Sequence, residues 1–400
     1  MGRGSGRVPY ARLAAFYLLY FGSLGAFMPY WGPYLRALGF GPAAIGELTA
    51  VIMVTKVIAP NLWGWIADHT GRRLAVVRLT GLAATGVFVA LLWVRDYWGI
   101  LWVLAGFSFF WNAALPQFEA VTLNHLGRDS HRYSQIRLWG SVGFILTVVF
   151  LGRLFDGEGI HWLPAAVSLL LAGMALSTLF VPEDRVRYPE QGGPALWQVL
   201  HNASVAGLFL AFFLAQASHG AYYAFYSVYL ETFGYTRDVI GVLWGLGVLV
   251  EILVFVLMHR WLPRYGAGRL LVFALGATVV RWILVGAGVR HPMVLVLAQT
   301  LHAASFGLVH ACAIHMVHRI FPGRLQGRGQ ALYSSLSFGL GGAVGSLVSG
   351  HIWTELDPQW IYYTAALMAF LGLAAAWWAV RRGGWDEGAL EEAETWEGLP

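Results

Sequence analysis

Apolar stretches of about twenty residues, the length that crosses a bilayer as a helix, alternate along this chain with short clusters of charge, Gly and Pro. Cut at those clusters, the stretches run 10–35, 42–67, 74–94, 98–123, 136–154 and 162–181, then 200–230, 236–258, 269–289, 292–320, 329–352 and 359–380. Stretches 42–67 and 74–94 are apolar around the whole helical circumference, which excludes a soluble amphipathic helix. Polar residues 182–194 divide the pattern into six plus six. The expectation is an all-α integral membrane fold, with twelve transmembrane helices in two pseudo-symmetric six-helix bundles. Their bounds are 1–183 and 199–382, joined by a central linker 184–198 and followed by an acidic tail 383–400 that holds no base.

The halves echo one another in their loops. Gly64-Trp65-Ile66-Ala67-Asp68-His69-Thr70-Gly71-Arg72-Arg73 joins spans two and three as a short charged hairpin. Pro263-Arg264-Tyr265-Gly266-Ala267-Gly268-Arg269 joins spans eight and nine, the same place in the second half. An internal repeat related by an axis along the membrane normal produces this pattern.

Composition agrees with the pattern, since 58% of residues are hydrophobic and 12% charged, far from the soluble mix. Of 26 Lys and Arg, Lys56, Arg137 and Arg281 are set apart as charges of the apolar runs, and five lie in or beside one set of loops (Arg36, Arg95, Arg153, Arg237, Arg290). The other 18 lie in or beside the alternate loops and at the termini. That bias predicts a plasma (inner) membrane protein with both termini in the cytoplasm. No patterned basic face supports nucleic-acid binding. Cys312 is the only cysteine, so no intrachain disulfide forms. Arg3, Arg7 and Arg12 precede the first apolar run as in a signal peptide, but the run reaches Leu35 without an Ala-x-Ala site, and a retained first helix is expected.

Charges within the apolar runs need a reason, because one at mid-bilayer costs at least ~2.5 kcal/mol. Glu119 in span four and Arg137 at the start of span five lie on antiparallel neighbours, as substrate ligands or as a helix-to-helix ion pair. Lys56 sits about 18 Å from Asp68 at 1.5 Å per residue, to face a central cavity or to pair with Glu119. Glu251 has hydrocarbon neighbours on both sides, which suits a carboxylate that takes up and releases a proton near neutral pH. Arg281 is always charged and calls for an acid or an anionic ligand; a structural pair with Glu251 is the alternative. Span ten holds His302, His310, His315 and His318, and span seven holds His219. No Cys or carboxylate joins them at ligand spacing, so no metal site is expected. Tyr222, Tyr223, Phe225, Tyr226 and Tyr229 crowd span seven as an aromatic wall or as packing. Gly339, Gly341, Gly342, Gly345 and Gly350 allow close helix approach in span eleven.

The loop pattern Gly-x-x-x-Asp-x-x-Gly-Arg-Arg with twelve spans resembles the major facilitator superfamily, although His69 stands where a base usually follows the Asp. Ile136 to Phe144, Gln216 to Tyr223, Val280 to Trp282 and Gln299 to His302 are similar to the 3-phenylpropionic acid transporter branch, itself like lactose permease. The resemblance implies substrate ligands at Glu119 and Arg137. It further implies a proton-coupling set at Glu251, Arg281 and His302, whose fourth acid is replaced by Ser305. Gly64, Asp68, Gly71, Arg72 and Arg73 would form the gate, with Asp68 facing the N-terminus of span eleven near 327–330 when the cytoplasmic side is shut. The alternative is a local pair of Asp68 with Arg72 or Arg73.

These features predict a secondary active transporter, a proton-coupled symporter importing a small organic solute such as an aromatic carboxylate by alternating access. Substrate contacts are expected from Lys56, Glu119, Arg137, His219, Tyr222 and Tyr223. A sugar or nucleoside symporter, and an efflux pump or uniporter, are the alternatives. Nucleophile, phosphate and metal motifs are lacking, which argues against an enzyme. The expected partners are substrate, proton and membrane lipid, for a monomer with no cofactor beyond the proton gradient.

Overall fold

The computed structural model describes residues 8–183, 201–322, 325–383 and 385. The expected linker 184–198 and nearly all of the acidic tail lie outside the described residues, as do residues 1–7, 199–200 and 323–324. Among the described residues twelve helices are long and apolar enough to cross a membrane. They are α1 (Tyr10–Ala37), α2 (Pro42–Thr70), α3 (Arg73–Leu92), α4 (Tyr97–Leu126), α5 (Tyr133–Leu154), α6 (Gly157–Leu179), α7 (Ala203–Thr232), α8 (Arg237–Tyr265), α9 (Ala267–Gly288), α10 (Pro292–Ile320), α11 (Gln326–Glu355) and α12 (Trp360–Gly383). Large apolar side chains such as Phe150 and Leu169 stay more than 70% exposed on the outer surface. In a membrane protein that surface meets lipid tails, and exposure there carries no penalty.

Both expected hairpins are tighter than the charge pattern suggests. Apolar Trp65, Ile66 and Ala67 extend α2 to Thr70, where Gly71 takes a left-handed φ of 64° and its N–H closes on the Ala67 carbonyl. Arg72 alone then separates Gly71 from α3. In the second half α8 runs through Pro263 to Tyr265, and Gly266, with φ 77°, makes the whole turn into α9. The seven-residue loop expected there is a one-residue turn, because only a residue without Cβ adopts that φ without strain.

Within the first half α1 packs on α5 and α6, α2 on α4, and α3 on α4 and α6; within the second, α7 packs on α11 and α12, and α9 on α12. The halves meet along α1/α7, α2/α11 and α5/α8. Advancing by six helices turns α2/α11 into α8/α5, so the two lateral seams are one contact repeated by the pseudo-twofold axis.

Glycines set how close these seams come. A Cβ at Gly46 would stand 2.6 Å from the Ser346 carbonyl, and one at Gly241 2.5 Å from that of Val148. Both seams lie toward the face opposite the α2–α3 hairpin. Arginine clasps close that face: Arg36 donates to the Val228 carbonyl and Thr232 Oγ1 (3.2 and 3.0 Å), and Arg237 to the carbonyls of Phe155 and Gly157 (2.6 and 2.7 Å). On the hairpin face Asn61 Nδ2 reaches across the halves to Ser335 Oγ at a long 3.5 Å. The halves are thus sealed at the opposite face and parted at the hairpin face.

The span-eleven glycines divide between two partners. Gly339 and Gly350 lie against α2, whereas Gly341 and Gly345 lie against α7, where a Cβ on Gly345 would fall 1.9 Å from the Ala217 carbonyl. Backbone cannot yield there as a side chain would. Gly345→Val is therefore expected to lower stability by about 1–3 kcal/mol, read as a drop in thermal midpoint in detergent; an unchanged midpoint would show that α7 and α11 are not locked at this point.

Candidate functional site

Where the halves part, a cavity of about 300 Å³ lies between them. Its first-half wall is Tyr20, Phe21, Leu24 and Met28 of α1, Ile52, Met53, Lys56 and Pro60 of α2, Trp111, Asn112, Leu115 and Pro116 of α4, and Arg137 of α5. Gln216 and Tyr223 of α7, Phe306 of α10, and Ser334, Phe338 and Gly342 of α11 face them. Trp111 stacks on Tyr20 at 5.2 Å and on Phe107 at 5.3 Å, which fixes a flat aromatic surface. Asn112 is aimed by bonds from its Nδ2 to the Ile52 carbonyl (3.1 Å) and Thr55 Oγ1 (2.9 Å).

Lys56 faces this cavity and forms no ion pair or hydrogen bond among the described residues; it does not reach Glu119. Arg137 also lines it, lying 3.8 Å over the Phe21 ring. Behind Arg137 stands Glu119, 4.0 Å from Arg137 Nε and accepting a 3.0 Å hydrogen bond from the Tyr133 hydroxyl. The two side chains from neighbouring helices meet, with the base on the cavity and the acid one layer back.

The second-half charges are partnered differently from the sequence expectation. Glu251 does not pair with Arg281: its Oε2 lies 3.6 Å from His302 Nε2. Glycines make that contact possible, since a Cβ at Gly307 would fall 3.0 Å from Glu251 Cγ and one at Gly247 3.1 Å from the His302 ring. Arg281 is wholly buried, and its partners among the described residues are neutral. It donates to the Ala298 carbonyl (3.1 Å), Ser305 Oγ (2.9 Å) and Gln299 Oε1 (3.3 Å), between the faces of Tyr222 and Trp282 at 4.5 and 4.3 Å. Ser305, at the position where the resemblance leads one to expect an acid, is thus a partner of Arg281. His219 donates through Nδ1 to the Ala215 carbonyl at 2.8 Å, which leaves Nε2 as the acceptor 3.5 Å from Arg281. His219 and Tyr222 are buried in this cluster, and neither belongs to the cavity wall. Tyr223 and Phe306 do belong to it.

His302 directly precedes a π-helical segment, Ala303–Leu308, and a second spans Ser335–Gly341 in α11. Such wide turns displace side chains from regular helical register and recur at functional sites.

At the hairpin, Asp68 is bonded to Arg73, which also donates to Gln117 Oε1 at 2.8 Å. In this conformation the local pair is made, and the hairpin is tied to α4. Gly64 packs beside Gln117. Sequence reasoning passed over Asn112, Trp111, Phe306 and Phe338 on the cavity, and counted Arg36 and Arg237 only as orientation charges. An isolated Asn within the apolar run of α4 was the available signal for the first; the aromatics offered none.

Twelve membrane-crossing helices in two repeated halves around a shared cavity define a solute transporter of the major facilitator fold, not an enzyme. The chain belongs to the MFS_1 like family, whose model it matches over residues 10–364. It is 29% identical over 364 residues to the probable 3-phenylpropionic acid transporter of Escherichia coli (strain K12), covering 89% of this chain and 94% of that one. It is 28% identical over 367 residues to the maltose permease of Geobacillus stearothermophilus, covering 90% and 91%. The crystal structure of the nucleoside transporter NupG superposes with a TM-score of 0.82 at 20% identity, over 92% of this chain and 98% of that one.

Removing the guanidinium strips the donor from three acceptors and leaves space between two rings. Arg281→Ala is expected to destabilise the protein by roughly 2–5 kcal/mol, seen in thermal unfolding. A variant of parent stability would show that Arg281 serves a ligand rather than the packing of the second half.

Proposed function

We propose that the chain is a proton-coupled symporter that imports a small aromatic carboxylate, with 3-phenylpropionate as the first ligand to test. The observation that carries this reading is the cavity wall: Lys56 and Arg137 stand among aromatic rings, and its lining residues include no carboxylate. A cation facing a low-dielectric cavity gains most from an anion, and flat rings bury an aryl group. Asn112, Gln216, Ser334 and two tyrosines supply polar partners that a sugar would also use, so it is the two cations that favour a carboxylate. The similarity to a probable 3-phenylpropionic acid transporter supports the same ligand class.

Glu251 is the proton carrier in this reading, with His302 as its partner. Tyr223 and Phe306 separate it from the cavity, so substrate and proton occupy opposite sides of one aromatic layer. The arginine excess of the hairpin face supports a reading with that face and both termini in the cytoplasm, the protein lying in the inner membrane. The cavity then opens inward, and transport proceeds as a monomer by rocking the halves about the three seams.

Two experiments test this. In a thermal-shift screen, 3-phenylpropionate should stabilise the purified protein while maltose and uridine do not, and Lys56→Gln should weaken that binding about tenfold, ~1.4 kcal/mol; stabilisation by the sugar or nucleoside alone would overturn the carboxylate reading. In proteoliposomes Glu251→Gln should keep exchange of labelled 3-phenylpropionate but lose accumulation driven by a pH gradient. Full accumulation by that variant would remove Glu251 from coupling.

A further inference from the structure

Five charged side chains lie on the cavity or in the layer directly behind its wall: Lys56, Glu119, Arg137, Glu251 and Arg281. Their contacts divide them into three groups. Arg137 and Glu119 face each other across 4.0 Å and cancel. Glu251 and Arg281 have opposite charge but separate partners, His302 for the acid and neutral oxygens for the base. Lys56 has no counter-ion among the described residues. With Glu251 ionised the layer carries a single excess positive charge, and it resides at Lys56.

Of the two acids, Glu251 alone can gain a proton without breaking a carboxylate–guanidinium contact. The groups that face it are His302 of α10, Tyr222 and Tyr223 of α7, and Arg137 of α5, whose charge reaches it from the first half. Arg281 of α9 acts on His302. The nearby histidines leave the count unchanged when neutral. His219 has the Nδ1-protonated tautomer, with its bare nitrogen toward Arg281. His310 bonds the Tyr333 hydroxyl at 3.1 Å.

We infer that each transport cycle moves one proton together with one monovalent anion, so that transport is electroneutral and the cavity selects for a single negative charge. This rests on the symport reading above. In the empty carrier Glu251 is ionised and Lys56 is uncompensated; in the loaded carrier Glu251 is neutral and the anion sits against Lys56. Both forms hold the same net charge. Charge inside hydrocarbon is expensive, so the two forms that must reorient meet the same electrostatic cost. A dianion with one proton would shift that balance by one charge, and so would a neutral solute.

The test uses the full-length protein in liposomes and labelled 3-phenylpropionate. One arm imposes a pH gradient, with the potential clamped by valinomycin and equal potassium. The other imposes a potassium diffusion potential of either sign at equal pH. Accumulation is expected in the first arm, and a ratio within twofold of the gradient-free control in the second. Movement of one net charge would instead change the ratio roughly 50-fold at 100 mV, the equivalent of ~2.3 kcal/mol. That result overturns electroneutrality while leaving symport standing. Absence of pH-driven accumulation would overturn the symport reading and this inference with it. As a second measurement, the dianion phenylsuccinate and the neutral 3-phenylpropanol should each compete at least tenfold more weakly than unlabelled 3-phenylpropionate. Equal competition by the dianion would refute selection for a single charge.

Discussion

Charge inside hydrocarbon is the constraint on which the rest of this molecule depends. A lone ion at mid-bilayer costs at least ~2.5 kcal/mol, so each one must find compensation, and the helices are arranged to provide it. Arg281 obtains it without an acid, from three oxygen acceptors and two aromatic faces. Arg137 and Glu119 obtain it from one another. Lys56 alone is left facing open space, and in the proposed reading the substrate anion supplies its compensation.

A second constraint is how the halves can separate without exposing backbone. The lateral seams close through glycines set against carbonyls of the facing helix, a contact that needs no side-chain rearrangement to part. Arg36 and Arg237 then fasten the opposite face by donating to carbonyls near helix ends in the other half. These bonds form at an edge where water can replace them, so opening that face does not strand a buried polar group. On the hairpin face Arg73 bridges Asp68 and Gln117 within the first half, and a long Asn61–Ser335 bond of 3.5 Å crosses to the second.

Tyr223 and Phe306 stand at the cavity wall next to the His302–Glu251 contact. One side of this layer lines the cavity; on the other, the Phe306 ring stacks on His302 at 5.5 Å, and His302 meets Glu251. Both π-helical segments lie beside it. In the proposed symport, a ligand pressing on these rings would reach the His302–Glu251 contact through packing alone.

The chain by itself determined the spans, their division into halves and the charges that needed explaining. Bilayer thickness imposes a length, and hydrocarbon penalises every polar residue within it, so both are written in local composition. It also offered Glu119 and Arg137, on consecutive antiparallel spans, as a pair, and the structure sets them 4.0 Å apart. Composition could not determine which partner each second-half charge would choose. Glu251 and Arg281 look complementary along the chain, yet glycines at 247 and 307 admit His302 to Glu251, while Ser305 and Gln299 reach Arg281 first. Nor did it determine which aromatics line the cavity, since Tyr222 and Tyr223 are adjacent and only one faces it. Those outcomes turn on the rotation of each helix about its axis and on sub-ångström room at glycines, quantities that exist only once twelve helices are packed together.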